Sequence, residues 1–72
     1  MSQPEMKVWP NGAKEWFLND VLHRVDGPAI ETPDGTKYWY LNDEKVSWEQ
    51  VFRQAKTPEI ELRILTAALT NP

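Results

Sequence analysis

The apolar and polar positions of this chain follow two different periods. Up to residue 46 the alternation is two: Lys37, Trp39 and Leu41 fall on one face of an extended segment, and Thr36, Tyr38 and Tyr40 on the other. Likewise Lys14, Trp16 and Leu18 oppose Glu15 and Phe17. Turn residues punctuate these runs. Pro10-Asn11-Gly12 and Pro33-Asp34-Gly35 join a residue of fixed φ to a glycine that tolerates positive φ, Asn19-Asp20 and Asn42-Asp43 supply further reversals, and Asp26-Gly27-Pro28 interrupts the chain between them. The pattern predicts an antiparallel β-meander with strands at residues 7–9, 14–18, 21–24, 28–32, 36–41 and 45–46.

From Ser47 the period becomes 3.6. Ser47-Trp48-Glu49-Gln50 has the form of a capping box, and Trp48, Val51, Phe52 and Ala55 then form one apolar stripe of a short helix. Thr57 and Pro58 suit the cap and first position of a second helix, with Glu59 and Glu61 near its positive end. Its inner face is expected to hold Ile60, Ile64, Leu65, Ala68 and Leu69, and Thr70-Asn71-Pro72 to end it. The fold class is therefore α+β, a single domain over residues 1–72: a sheet region at 1–46 and a helical cap at 47–72.

The sheet region carries an internal repeat. Residues 10–20, Pro-Asn-Gly-Ala-Lys-Glu-Trp-Phe-Leu-Asn-Asp, read against residues 33–43, Pro-Asp-Gly-Thr-Lys-Tyr-Trp-Tyr-Leu-Asn-Asp, at a constant offset of 23. Trp16 and Trp39 are thus equivalent positions, and Trp48 begins the helix expected to cover both.

Composition narrows the function. At 72 residues the chain is near the lower limit for one self-supporting core, and its four tryptophans supply burial that chain length does not. It has no cysteine, so disulfide and zinc-thiolate staples are excluded, which fits a reducing cytoplasm. No apolar run has the length of a membrane span or of a signal-peptide core, so a cytoplasmic chain beginning at Met1 is expected. Residues 1–46 carry the whole net charge of −3, and residues 47–72 are neutral. Neither half holds the basic patch that direct nucleic-acid binding needs, and the carboxylates are too few for a mimic of a phosphate backbone.

The stretch from Trp16 to Glu31, with His23-Arg24-Val25-Asp26-Gly27-Pro28-Ala29 at its centre, and the following Pro33-Asp34-Gly35-Thr36-Lys37-Tyr38-Trp39-Tyr40-Leu41-Asn42 resemble the MORN-variant repeats of short proteins from bacteriophages and large viruses. The similarity covers about residues 9 to 46. It departs from the pattern in two places: the expected Asn-Gly turns are Asn-Asp, and the second unit gives way to a helix after Lys45. The resemblance implies two 23-residue units of β-hairpin repeat and a phage origin, and no catalytic activity.

His23 is the single histidine, and no serine or threonine stands in a nucleophile motif beside it, so no catalytic residue is assigned. His23 and Arg24 are expected to tie a turn to Asp26 or to backbone carbonyls. Glu59 and Glu61 point in different directions from a helix start and do not make a metal pair; no metal or cofactor is expected. The aromatic residues are more informative. With the helices on the Trp/Leu face, Phe17, Tyr38 and Tyr40 are left on the opposite one, beside Glu15 and Glu31, a composition suited to a protein interface. The expected function is a non-enzymatic protein that binds and inhibits or modulates a host bacterial protein, such as a CRISPR effector, a restriction enzyme or the transcription machinery. The alternative is a self-associating structural or minor virion module, a homo-oligomer formed through a sheet edge or the aromatic face.

Overall fold

A computed structural model describes residues 3–70. Six strands, β1 (Glu5–Val8), β2 (Lys14–Leu18), β3 (Val21–Leu22), β4 (Ile30–Glu31), β5 (Lys37–Leu41) and β6 (Glu44–Val46), precede two helices, α1 (Trp48–Arg53) and α2 (Pro58–Thr70). All strand pairs are antiparallel, and the chain is α+β. The expected end of α2 at Thr70-Asn71-Pro72 lies partly outside the described residues.

The turns follow from their residues. Asn19 and Asp20 have φ of 52° and 67°, and Asn42 and Asp43 of 51° and 69°. Two consecutive left-handed residues make the turn whose twist matches a hairpin, and Asn and Asp are the side chains that tolerate it best after glycine. Gly12 and Gly35 take φ of 94° and 92°, closed to residues with a Cβ.

The sheet is not a simple meander. Its order is β1-β2-β4-β5-β6, and β3 also pairs with β2. Because Phe17 pairs with Glu5 on one side and with Leu22 on the other, β3 and β4 lie along the same edge of β2. The segments predicted as separate strands at 21–24 and 28–32 are thus two pieces of one broken strand between β2 and β5. Trp16 bridges the break: its carbonyl accepts from the His23 N–H at 3.1 Å and its N–H donates to the Ala29 carbonyl at 2.9 Å. On the other side the Arg24 N–H donates to Tyr40 at 3.3 Å and the Ala29 N–H to Tyr38 at 2.9 Å. Residues 25–28, between the bonded Arg24 and Ala29, are looped out of the sheet as an enlarged bulge.

Arg24 closes this loop from inside. Its Nε donates to Asp26 Oδ1 at 2.9 Å, and its Nη1 donates to the Pro28 carbonyl at 3.0 Å and to Glu31 Oε2 at 3.4 Å. The guanidinium lies 3.8 Å from the centroid of the Trp16 ring. Gly27 is where the loop passes closest, since a Cβ there would stand 2.8 Å from Arg24 Cζ. His23 acts elsewhere: its Nδ1 accepts the N–H of Asn42 at 3.0 Å, fastening the second Asn-Asp turn to the broken strand.

The capping box of α1 forms as predicted, with reciprocal bonds between Ser47 and Gln50, and Thr57 Oγ1 accepts from the Ile60 N–H at 3.1 Å to cap α2. Trp39, Val51, Ile64 and Ala68 form the buried core, with Leu41, Val46, Trp48, Phe52, Ala55, Ile60 and Ala67 packed around it. The helices therefore cover the Trp39/Leu41 face. They do not cover Trp16, which Arg24 shields instead. Leu69 is a second correction: it is 77% exposed, and Ala67 takes the inward place. At about 100° per residue, Leu69 lies some 140° around the helix from Ile64, while Ile60 and Ala68 lie within 40° of it. Arg63 Nη1 reaches Asp26 Oδ2 at 3.3 Å and joins α2 to the looped-out segment.

Candidate protein-binding face

Register decides which side chains share the face away from the helices. In antiparallel pairs, directly opposed residues point to the same side. Lys7 opposes Glu15, Glu15 opposes Ile30 and Ile30 opposes Tyr38, which makes one row across four strands. Glu5, Phe17 and Leu22 make a second row, and Tyr40 with Lys45 extends the face to β6. Phe17, Tyr38, Tyr40, Leu22 and Ile30 are all partly exposed.

Four of the five residues expected at an interface, Glu15, Phe17, Tyr38 and Tyr40, therefore lie on this one face. Glu31 does not. It opposes Lys14 and Lys37 on the helix side, where it receives Arg24. The Thr32–Thr36 pairing sets that register, since the Thr32 N–H donates to the Thr36 carbonyl at 2.9 Å and the next pair inward is Glu31 with Lys37.

The face also holds residues that the sequence reading leaves unassigned. Trp9, 39% exposed, donates its indole N–H to Glu15 Oε1 at 2.9 Å. Lys7 Nζ stands 4.1 Å from the Trp9 ring centroid, and Lys45 Nζ stands 5.1 Å from that of Tyr38. The signal for Trp9 is the hairpin count: its N–H donates to the Ala13 carbonyl at 2.8 Å, so residues 9, 7 and 5 alternate onto the face of Glu15 and Phe17. The result is an aromatic and aliphatic surface with a lysine at each side and an indole-bound carboxylate within it, rings ready for apolar contact and charges nearly balanced.

On the helix side, a cleft between β2 and the start of α2 is lined by Trp16, Arg24, Asp26, Ile60 and Arg63. Arg24 and Arg63 both bind Asp26 of the looped-out segment across it, so it is a seam of the fold. Among the described residues no three His, Asp or Glu side chains gather as a metal site requires, and no helix is long and apolar enough to cross a membrane. Comparisons with protein-family models, with curated proteins and with solved structures find no significant match to this chain.

Proposed function

We propose that this chain is a small, non-enzymatic binding protein that attaches to a host bacterial protein through the sheet face of Phe17, Tyr38, Tyr40 and Glu15 and inhibits or modulates it. The observation that carries the reading is that the two helices cover one sheet face and leave the aromatic one open. Partly exposed tyrosines offer large contact area and a hydroxyl handle at low entropic cost, which suits a protein partner. The resemblance of residues 9–46 to MORN-variant repeats supports a phage origin, two 23-residue units and a site of action in the bacterial cytoplasm. Host defence complexes and the transcription machinery are the targets in view. Stacking of single-stranded RNA is the weaker reading, because Lys7 and Lys45 on this face are balanced by Glu5 and Glu15 and leave no net cationic surround.

The test is capture from bacterial lysate by the tagged chain, repeated with a Tyr38→Ala/Tyr40→Ala variant and a Leu69→Gln control. A host protein retained by the parent and the control, and lost with the tyrosine variant, is the expected result. Equal retention by all three overturns the assignment of the face.

A further inference from the structure

β1 is an edge strand, and among the described residues no strand lies on its outer side. Which of its backbone groups point outward follows from β2. The Trp16 N–H and carbonyl are both turned to the broken strand, so Glu15 and Phe17 carry the bonds to β1, and their partners there are Lys7 and Glu5. The Trp9 N–H, bonded to Ala13, continues that alternation. Met6 and Val8 therefore present their peptide groups to the open edge.

We infer that a second copy of this chain adds to that edge, β1 against β1 in antiparallel fashion, about a twofold axis through Met6. Centred there, Met6 exchanges backbone hydrogen bonds with Met6 of the second copy, and the Val8 N–H donates to the carbonyl of Pro4. Pro4 has no N–H to give, and this register asks it only to accept. The charges select the same register. With Met6 on the axis, Glu5 stands opposite Lys7 of the second copy, and Lys7 opposite Glu5, in the close, non-hydrogen-bonded kind of pair. A register centred on Glu5 or on Lys7 sets like charges against each other, and one centred on Val8 sets Lys7 against Trp9 and Met6 against Pro10, which already belongs to the turn.

Charged side chains on a short edge strand ordinarily discourage pairing. Here Glu5 and Lys7 lie two residues apart on one face around a residue that can sit on an axis, so the twofold converts the deterrent into a match. The other edge, β6, lacks this property: Glu44 and Lys45 are adjacent and on opposite faces, so no twofold register sets one across from the other. A twofold normal to the sheet keeps the helices of both copies on one side and joins their aromatic faces on the other. This dimer stands or falls independently of what the aromatic face binds.

The test is sedimentation of the intact chain from micromolar up to about 1 mM, the weak end of specific association. The parent dimerises in a concentration-dependent way. Met6→Pro removes the N–H on the axis, which faces outward and takes no part in the β1–β2 ladder, and leaves a folded monomer. Glu5→Lys weakens the dimer about tenfold or more by setting lysines opposite each other twice, and Lys7→Glu does the same with glutamates. Mixed together, the Glu5→Lys and Lys7→Glu chains form a heterodimer at concentrations where each alone is monomeric, and adding Met6→Pro to either abolishes it. A parent chain that stays monomeric throughout overturns the inference, as does a dimer indifferent to Met6→Pro and Glu5→Lys, or a mixture that forms no heterodimer. Circular dichroism of each variant establishes that the fold is retained.

Discussion

The Arg24 guanidinium lies 3.8 Å over the Trp16 ring while bonding Asp26, the Pro28 carbonyl and Glu31. One side chain thus holds a segment that leaves the sheet and returns to it. Its side chain is only 19% exposed, so solvent screens these contacts weakly. Arg24→Ala is expected to lower unfolding free energy by about 2–3 kcal/mol, out of roughly 4 to 11 for a chain of this size. Urea denaturation checks this, and a loss below about 0.5 kcal/mol, the level of an ordinary surface change, contradicts the role.

Gly27 depends on Arg24. A methyl at Gly27 would stand 2.8 Å from Arg24 Cζ and 3.1 Å from Nε and Nη1, with the guanidinium pinned in place. Gly27→Ala should therefore cost about 1–2 kcal/mol in the parent chain. In an Arg24→Ala background the obstacle is gone, and the same change should be neutral or stabilising by up to about 1 kcal/mol through the unfolded state. A double-mutant cycle reads the coupling; additive effects would show that the two positions do not meet.

The two Asn-Asp turns spend left-handed conformations on residues with a Cβ. Asp20 at φ 67° and Asp43 at φ 69° are the positions where glycine carries no such cost. Asp20→Gly and Asp43→Gly are each expected to stabilise the fold by about 0.5–1 kcal/mol, read as a rise in melting temperature. A fall in both would contradict the assigned turn geometry.

In α2, Ile64 is fully buried and Leu69 is 77% exposed. Ile64→Ala should cost about 2–5 kcal/mol, while Leu69→Gln should stay within about 0.5 kcal/mol. Comparable losses at the two positions would mean that the helix is rotated from the orientation described.

At the second Gly turn the Asp34 carboxylate is held below its ordinary value of 3.8, chiefly by the Thr32 hydroxyl and then by the Thr36 N–H. A carboxylate whose folded pKa is depressed contributes stability that is complete above the unfolded value and is lost as pH falls through the folded one. Acid titration of stability should therefore show a loss beginning near pH 3.8 and continuing below it, and Asp34→Asn should reduce that part of the acid limb. Identical acid limbs for parent and variant would exclude a contribution from this group.

Local signals in the sequence located the elements well. The Ser47/Gln50 box, the Thr57 cap and the Trp48-Val51-Phe52 stripe each depend on residues within one or two helical turns, and alternation in residues 36–41 separates Trp39 from Tyr38 and Tyr40. What stayed hidden is non-local. Nothing within residues 21–32 reveals that both halves lie along one edge of β2, because the pairing is fixed by Trp16 and by Tyr38 and Tyr40, which belong to other strands. Arg24 with Asp26 and the Pro28 carbonyl is the local part of that arrangement, and it matches the turn-tying role read from the sequence. Glu31 is a case of register: its face is settled by counting inward from the Thr32–Thr36 closure, not by its neighbours in the chain. Trp9 was equally readable from its hairpin with Ala13.

The proposed seat of a protein partner is the face of Phe17, Tyr38, Tyr40 and Glu15, beside Trp9. Hydroxyl-radical footprinting of the chain with and without its captured partner measures this side chain by side chain. Reduced oxidation of Phe17, Tyr38 and Tyr40, with Leu62 and Leu69 on the outer side of α2 unchanged, is the predicted result. Protection of Leu62 and Leu69 with the aromatic face left fully reactive would contradict it.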